Sequence, residues 1–402
     1  MSLFTHYDHT SLPLGADGTP IEFYQNLRDE AFENKTPIGW SEELGGFWVV
    51  AGREEAQTIY RDVENFSSRQ SSFPLYETAT KQRLMLAEID PPDHQRYRSL
   101  AQSAFSPQNV RTLKQQMHHV VDQLFDSVEG APTIDVRASL GTRLPAAVTA
   151  LMLGVPAEDG SIYRSWVAAM ADSHLHPEES EKILSGMKPY FDKLIADKRR
   201  NPDGQIMSDL VHARLDGDAL SDRELLDFFS ILLIGGLDNT ALLLANIVWH
   251  LANDDRLRER LAAERDLIPS SIEEFLRFYS PGKPARVVQR RVEVGGVTML
   301  PGQILHFALP IINRDPREFE YPDQFIADRF PNRHLALGSG IHRCLGMHLL
   351  RLELSVALEA LLDRIPAFRV HPNKRVEWSC GHVEGITGLS IVVEQSEAAS
   401  YA

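Results

Sequence analysis

The chain has 402 residues, of which 43% are hydrophobic, and its formal net charge is −15. A chain this acidic argues against nucleic acid as a partner, because phosphate binding needs a basic surface. Its two cysteines exclude a disulfide framework. No linker, repeat or low-complexity tract divides the sequence, so we predict a single domain over residues 1–402 with no fused reductase.

The N-terminal part of the chain carries no recognisable targeting segment. Residues 1–9 contain neither the basic region nor the apolar core of a signal peptide. The longest apolar stretch, residues 228–252, is interrupted by Asp238 and Asn239, so it is a poor membrane span but a plausible buried helix. We therefore expect a cytoplasmic protein with no membrane anchor.

The sequence pattern changes from helical to strand-like along the chain. After a strand-like run at residues 47–51, apolar residues recur at three- and four-residue spacing from about residue 95 to 275. The predicted helices are residues 110–128, 140–153, 181–197, 222–253 and 345–365. The predicted strands after Pro281 are residues 286–289, 292–294, 304–309 and 378–393. Helix dominates over a smaller sheet portion, which predicts a mainly helical α+β fold.

A helix opens after the prolines at positions 91 and 92. His94 and Arg98 would project from the same side of this helix, because they lie four residues apart. If this side faces inward, the pair could bind a dianionic ligand. The alternative is a helical first turn whose charges are solvated.

The long apolar helix contains the run Ile234-Gly-Gly-Leu-Asp-Asn-Thr240. Each glycine in a helix interior costs about 1 kcal/mol relative to alanine, so something must approach this backbone closely or the helix must open. A buried Asp238 also costs free energy unless it finds partners or takes part in chemistry. A helix kink with a hydrogen-bonded aspartate is the alternative.

Three glycines surround Cys344 in the run from His334 to Gly346. Glycine reaches backbone dihedrals that are closed to other residues, which allows a tight loop here. The helix predicted immediately afterwards places Cys344 at a helix N-terminus, where the helix dipole favours a thiolate. Such a thiolate is a nucleophile or a metal ligand, and the alternative is a buried cysteine in a helix-capping turn.

The pattern Gly-x-Gly-x-His-x-Cys-x-Gly before a C-terminal helix resembles the heme-binding loop of the cytochrome P450 monooxygenases. The resemblance implies the cytochrome P450 fold, heme b (iron protoporphyrin IX) as the cofactor and Cys344 as the metal ligand. The sequence departs from the family at Leu337, where phenylalanine is usual. The chain is similar to the soluble bacterial members, which have no N-terminal membrane anchor.

The resemblance also implies how the carboxylates of the heme are held. His94 and Arg98 match the family's propionate ligands in their helix, and Arg286 and His334 match two others. Donors from separate segments suit a buried dicarboxylate. The implied cofactor site is His94, Arg98, Arg286, His334, Gly338, Cys344 and Gly346.

Glu274 and Arg277 lie three residues apart on one helical face, a spacing that is usual for a surface ion pair of little energetic value. In the family, however, a Glu-x-x-Arg pair forms a buried network with an arginine from a later loop, and Arg329 matches that arginine. By this resemblance the three residues are structural rather than catalytic.

The family has Gly-x-Asp/Glu-Thr on the distal side of the heme, where the acid relays protons and the threonine hydroxyl assists oxygen activation. Asp238 matches the acid, whereas Asn239 stands at the place of the threonine. Thr240 follows one residue later, turned by about 100° on a helix, so it should not simply substitute. Either water takes over the role of the hydroxyl, or the amide of Asn239 donates to an ether or carbonyl oxygen of the substrate. We predict Asp238, Asn239 and Thr240 as catalytic residues.

Family members that hydroxylate cineole resemble this chain most, in the runs at residues 36–42, 73–78, 235–240 and 331–335. This resemblance implies hydroxylation of an unactivated C–H bond of a small oxygenated monoterpene, 1,8-cineole or a close analogue. The alternatives are another small terpenoid, an aromatic ether, or a peroxide-driven heme enzyme. The implied substrate pocket is Tyr76, Ile234, Gly235, Asn239 and Val383.

The implied co-substrate is O₂, and the implied electron source is a separate ferredoxin or flavodoxin with an NAD(P)H-dependent reductase. The residues around Cys344 are locally basic in an acidic chain, which is typical of a solvated helix turn or of a docking patch for an acidic carrier. These residues are His342, Arg343, His348 and Arg351.

Overall fold

The computed structural model describes residues 2–69, 84–171, 176–380 and 383–394. Helices are the dominant secondary structure of the described chain, as the sequence predicts. They are α1 Ile21–Glu33, α2 Arg53–Arg61, α3 Asp93–Gln102, α4 Pro107–Thr112, α5 Lys114–Asp126, α6 Arg143–Leu153, α7 Gly160–Ala171, α8 Pro177–Leu184, α9 Met187–Arg200, α10 Ile206–His212, α11 Asp222–Asn253, α12 Asp255–Ala263, α13 Ile268–Phe278, α14 Leu309–Ile312 and α15 Met347–Arg364.

The strands form small sheets at the side of the helical body. They are β1 Ile38–Ser41, β2 Phe47–Val50, β3 Phe66–Ser67, β4 Thr133–Asp135, β5 Arg214–Leu215, β6 Asp218–Ala219, β7 Ala285–Val288, β8 Val292–Val294, β9 Val297–Met299, β10 Ile304–Phe307, β11 Phe368–Val370, β12 Glu377–Ser379, β13 Gly385–Gly388 and β14 Ser390–Val393. The largest sheet has the strand order β1-β2-β10-β7-β3. Strand β10 runs parallel to β2 and antiparallel to β7, which carries Arg286 to the edge of the helical body.

Helix α11 is the central helix of the main hydrophobic core. It begins with a capping box, in which the Ser221 hydroxyl accepts from the backbone N–H of Glu224 and the Glu224 carboxylate accepts from the backbone N–H of Ser221. Its apolar side chains then pack on all sides, chiefly against α6, α7 and β13. Within the described ranges it alone is long and apolar enough to cross a membrane, a test that buried core helices also pass.

Two of the predicted helices are each divided in the structure. The segment predicted as residues 110–128 is α4 and α5, which meet at Leu113, and the segment predicted as residues 181–197 is α8 and α9, which meet near Gly186. Apolar spacing continues across both breaks, because the two halves cover the same core. The prediction for residues 222–253 matches α11, and that for residues 345–365 matches α15 within two residues.

Candidate active site

The loop before α15 holds Cys344 by means of glycines in the left-handed region of φ. Gly338 and Gly340 have φ of 69° and 68°, and between them they turn the chain into a short 3₁₀ helix, Gly340–His342. The backbone N–H of Cys344 then donates to the carbonyl of Leu337 at 2.8 Å, which closes the loop. A Cβ on Gly340 would lie 2.6 Å from the carbonyl oxygen of Tyr60, so this position requires glycine.

Cys344 lines a cavity of about 430 Å³ between α11 on one side and the cysteine loop with α15 on the other. Burial raises the pKa of its thiol, while the backbone N–H of Gly346 and the charges of nearby arginines oppose the shift. The lowering of the Cys344 pKa that is expected at a helix N-terminus is therefore outweighed by burial when no metal ion is bound. A bound metal ion would still displace the proton, because a coordinating thiol is deprotonated.

Two arginines from separate elements reach this cavity without a carboxylate partner. Arg98 Nη2 donates to the carbonyl of Arg343 at 2.6 Å, and Arg286, 4% exposed, donates to the carbonyl of Ala285 at 2.7 Å. Neither forms an ion pair within the described part of the chain. The hydroxyl of Tyr60, whose ring lies 5.4 Å below the Arg286 guanidinium, is buried without a hydrogen-bond partner. Buried charges are usually paired, so the arrangement fits a ligand with carboxylates.

Two histidines, the buried His94 and the half-buried His342, lie beside these arginines. The rings of His94 and His342 are 4.1 Å apart, and both ring nitrogens of His94 and Nε2 of His342 have no hydrogen-bond partner. Burial and the neighbouring arginines lower the pKa of His94 to about 4 and that of His342 to about 3. A carboxylate at this place would oppose both shifts, since an opposite charge favours the protonated imidazole.

His342, rather than the predicted His334, is the histidine of the cysteine loop that lines the cavity. The ring of His334 contacts the carboxylate of Glu273 at 3.2 Å and lies outside the cavity lining. The predicted docking patch also changes, because Arg351 donates twice to Glu273, at 2.5 and 2.7 Å, and its charge is paired. The sequence feature that could have identified His342 is its position two residues before Cys344, in a turn formed by glycines.

Helix α11 remains continuous through its two central glycines, and each has a separate structural role. Gly235 lines the cavity, with open space where a Cβ would point. Gly236 faces α6, where a Cβ would lie 2.4 Å from Oγ1 of Thr149. Two explanations were open for the glycines, an opened helix or a close approach to the helix backbone. The structure has the close approach, in which α6 packs against α11.

We expect Gly236→Ala to destabilise the protein by about 1–3 kcal/mol, the usual cost of overpacking, despite the better helix propensity of alanine. The β-branched Thr149 is stiff at χ1 and cannot move away freely. Urea denaturation of the heme-loaded protein measures the loss. Gly235→Ala is the matched control, and its added methyl group points into open space. A loss for Gly235→Ala equal to that for Gly236→Ala would contradict the assigned contact.

The predicted catalytic residues of α11 are not equivalent in the structure. Asn239 and Thr240 both line the cavity, whereas Asp238 is half-buried and is not part of the lining formed by the described residues. The two side chains therefore share the cavity, and the expectation that Thr240 does not simply substitute for a hydroxyl at position 239 stays a prediction. The amide oxygen of Asn239 is buried and has no hydrogen-bond partner, so this side chain presents an unused polar group among apolar neighbours.

The predicted substrate residues Ile234, Gly235 and Val383 line the same cavity, and Tyr76 lies outside the described residues. Lys283 also lines the wall, but its ammonium donates to the carbonyl of Cys380 at 2.7 Å and to that of His9. The wall there presents the aliphatic stem of the lysine rather than its charge.

The predicted ion-pair network is present, and its Glu274–Arg277 pair is fully buried. Arg277 donates to both carboxylate oxygens of Glu274 at 2.7 and 2.8 Å, and Arg329 Nε lies 3.1 Å from each. Both Glu274 and Arg277 are 0% exposed. None of the three residues lines the cavity, which agrees with a structural role.

A half-buried cysteine at a helix start lines a cavity that also receives two arginines without ion pairs in the described part of the chain and two histidines with ring nitrogens that lack hydrogen-bond partners. This donor set fits an iron ion and two carboxylates, which together are the features of heme. The fold and the site therefore define a heme-thiolate protein.

Comparison with known proteins identifies the family. The model of the cytochrome P450 family matches residues 46–379. The chain is 35% identical over 392 residues to nocardicin C N-oxygenase of Nocardia uniformis subsp. tsuyamanensis, covering 94% of this chain and 96% of that protein. It is 33% identical to mycinamicin IV hydroxylase/epoxidase of Micromonospora griseorubida, with coverages of 83% and 86%. The crystal structure of CYP109E1 from Bacillus megaterium in complex with testosterone matches with a TM-score of 0.84 at 31% identity, over 94% of this chain and 99% of that one.

The chain belongs to the cytochrome P450 family. It is a cytochrome P450 monooxygenase with heme b as its cofactor, and its fold is the cytochrome P450 fold. The predictions of fold class, enzyme class and cofactor are thereby confirmed. Cytochromes P450 use O₂ and redox partners such as ferredoxin.

Proposed function

We propose that this monooxygenase hydroxylates an unactivated C–H bond of a small oxygenated monoterpene, 1,8-cineole or a close analogue. The observation that carries the proposal is Asn239, whose amide lines a cavity wall that is otherwise largely apolar. Its oxygen is buried without a partner among the described residues, and its N–H₂ group is the donor that a substrate oxygen can use. Pockets of this kind use a few polar groups to fix the orientation of a mostly apolar ligand. The relatives named above act on or bind nocardicin C, mycinamicin IV and testosterone, so kinship alone does not select a substrate.

The residues of this chain would divide the work of the reaction. Heme b, when held by Cys344, supplies the oxygen chemistry. Arg98 and Arg286 would bind its carboxylates, with His94 and His342 beside them. The apolar wall excludes water from the substrate.

Asn239 would bind the substrate oxygen through its amide N–H, which fixes the carbon that is presented for hydroxylation. Thr240 would hold water for proton delivery. The predicted proton relay through Asp238 stays a prediction, since this side chain is not part of the described cavity wall.

We propose a separate ferredoxin or flavodoxin with an NAD(P)H-dependent reductase as the electron source. Arg343 and His348 are the remaining basic residues beside Cys344, after Arg351 has paired with Glu273. An acidic carrier would be steered to such a patch. The cytoplasmic location, the single domain over residues 1–402 and the absence of nucleic acid or membrane partners stay predictions.

Asn239→Ala should weaken the binding of 1,8-cineole about 2–10-fold, the value of one neutral hydrogen bond of 0.5–1.5 kcal/mol. It should also broaden the set of hydroxylated positions, because the substrate loses its anchor. Binding is followed by the change of heme spin state during titration, and products by chromatography after reconstitution with a ferredoxin and its reductase.

Thr240→Val is the matched control, since it also removes a polar group from the wall but leaves the proposed anchor. A bicyclic hydrocarbon without the ether oxygen should bind the wild type and Asn239→Ala equally well. Unchanged affinity and unchanged product positions in Asn239→Ala would refute the anchor. A screen in which no oxygenated monoterpene changes the spin state would refute the substrate class.

A further inference from the structure

The loop at residues 281–284 lies between α13 and β7 and forms part of the cavity wall. Each of its four residues lines the cavity, which Asn239 on α11 also lines. Two of the four are prolines, which have no N–H group to donate, and Gly282 adds backbone freedom between them. A substrate in the cavity therefore meets a loop whose backbone offers few hydrogen bonds to hold it in place.

Backbone hydrogen bonds fasten the two ends of this loop. The carbonyl of Pro281 accepts from the N–H of Glu384, and the carbonyl of Pro284 accepts from the N–H of Phe307, both at 3.0 Å. Between these two points, the position of the wall depends on the side chain of Lys283.

The ammonium group of Lys283 is directed away from the cavity and has acceptors from two distant segments. It donates to the carbonyl of His9 and, at 2.7 Å, to the carbonyl of Cys380, and it lies 3.8 Å from Oε2 of Glu384. The side chains of Lys283 and Glu384 are 4% and 5% exposed. An ammonium group buried this deeply is costly unless such partners surround it. Its aliphatic stem, which lines the wall, is therefore held in one place.

The ion pair of Lys283 and Glu384 is joined to α1 as well. The hydroxyl of Tyr24 donates to Oε2 of Glu384 at 2.6 Å. Burial lowers the pKa of Lys283 and raises the pKa of Glu384, and the attraction between the two charges opposes both shifts. Because loss of one partner would leave the other charge buried, the contact does not open without a cost in free energy.

The N-terminal segment, residues 2–12, provides one of these acceptors from outside the cavity. None of its described residues belongs to the cavity lining. Phe4 and Tyr7 are 3% and 1% exposed and pack in a hydrophobic cluster with α1 and the main sheet, which also contains Ala285, the residue that follows the wall loop. The carbonyl of His9 is thereby held against the sheet, and Lys283 connects it to the cavity wall.

We propose that Lys283 is a positioning residue for the substrate. It ties the cavity wall to the N-terminal segment, so that residues outside the cavity help to select the carbon that is hydroxylated. Its ammonium group does not contact the substrate in this role. The proposal rests on the monooxygenase reaction alone and depends neither on the identity of the substrate nor on the anchor at Asn239.

Lys283→Met tests the proposal, because methionine keeps an unbranched apolar stem but cannot donate to the carbonyls of His9 and Cys380. We expect the ratio of the main to the minor hydroxylation product to fall about 10-fold, since a misplacement of about 1 Å can change a rate by about 100-fold. The ratio is measured with any compound that changes the heme spin state and gives more than one product, so a failure of the cineole proposal leaves the test intact. It does not depend on the fraction of protein that folds or binds heme, so a loss of stability alone would not change it.

Lys198→Met is the matched control. Lys198 is also buried and donates to a carbonyl, that of Gly154, and to the carboxylate of Asp203, but it does not line the cavity. It should keep the product ratio of the wild type even where it lowers stability to the same extent.

Hydrogen exchange of the heme-loaded protein gives a readout that is independent of turnover. Amides of residues 2–12 should exchange about 10-fold faster in Lys283→Met than in the wild type or in Lys198→Met, because the segment has lost one of its attachments.

Phe4→Ala tests the connection between the N-terminal segment and the wall. The ring of Phe4 packs on Gly39 of β1, outside the cavity lining, so its loss should loosen the segment without touching the substrate. Phe4→Ala should lower the product ratio in the wild type and change it little in the Lys283→Met background, because residues that act through one another are not additive. The proposal is overturned if Lys283→Met keeps the wild-type product ratio or the wild-type exchange of residues 2–12. It is also overturned if Lys198→Met changes the ratio equally, or if the effects of Phe4→Ala and Lys283→Met on the logarithm of the ratio are additive.

Discussion

Cys344→Ser should abolish hydroxylation while leaving a protein that still binds heme weakly. Even the residues that orient metal ligands contribute about 10–100-fold to affinity or activity, so removal of the ligand itself should cost more than about 100-fold. The arginines that receive the heme carboxylates are unaffected, because they belong to α3 and β7. The measurements are heme content, the absorption spectrum of the reduced carbon monoxide complex and product formation with the reconstituted carrier.

Cys380→Ser is the matched control for this experiment. Cys380 is the second free cysteine, and it packs at the edge of the core around the N-terminal segment rather than in the active-site cavity. Burial raises the pKa of its thiol as well, so the two cysteines differ in location more than in intrinsic acidity. A thiolate spectrum that persists in Cys344→Ser, or that is lost in Cys380→Ser, would overturn the assignment of the metal ligand.

The conformation of the cysteine loop was predictable from the sequence, whereas the orientation of its histidines was not. Glycine spacing around Cys344 predicted the tight loop, because φ above zero is a local requirement that glycine meets at little cost. Apolar periodicity predicted the helix that follows. Which histidine of the loop faces the cavity was not predictable in the same way. His334 lies in irregular backbone and His342 ends a single 3₁₀ turn, so at neither position does a sustained helical or strand period relate sequence position to side-chain direction.

The side chains of α11 that line the cavity were also predicted only in part, for a similar reason. Helical geometry correctly turned consecutive side chains by about 100°, but the cavity is wide enough for Asn239 and Thr240 to share it. The two glycines were correctly identified as costly. Gly235 faces open space in the cavity wall, whereas Gly236 packs closely against Thr149 of α6. The sequence could not distinguish the two positions, because the contact with α6 exists only in the tertiary structure.

Glu353 on α15 is 3% exposed and lines the cavity, which the sequence did not predict for a different physical reason. A glutamate in an apolar-periodic helix is normally solvated, and its pattern is the same whether the neighbouring space is water or a cavity. By contrast, the resemblance to the family implied the buried network of Glu274, Arg277 and Arg329, whereas the spacing of Glu274 and Arg277 alone is typical of a surface ion pair.

Glu274→Ala should destabilise the protein by about 3–5 kcal/mol, the usual result of removing one partner from a buried ion pair. Arg277 is 0% exposed and would keep its charge, with the carbonyls of Asn313, Pro322 and Gln324 as its remaining partners. The effect should extend to the cysteine loop, since the Asn313 side chain also accepts from the backbone N–H of Leu335 at 2.7 Å. Urea denaturation and heme retention measure the two effects.

Glu273→Ala is the adjacent control, because Glu273 is partly exposed and its interactions with Arg351 and His334 should contribute only about 1 kcal/mol. The free energy of unfolding of the wild type should also fall at acid pH, and this fall should be smaller in Glu274→Ala. Hydrogen bonds from Arg277 hold the pKa of Glu274 below its ordinary 4.5 despite burial, so the folded state binds fewer protons than the unfolded state. The stabilisation is therefore complete above pH 4.5 and is lost as the pH falls through the lowered pKa. The assigned role of the buried network in holding α13 to the loop before Cys344 would be contradicted by either of two results. One is an equal loss of unfolding free energy in the two alanine variants, and the other is an unchanged pH dependence of stability in Glu274→Ala.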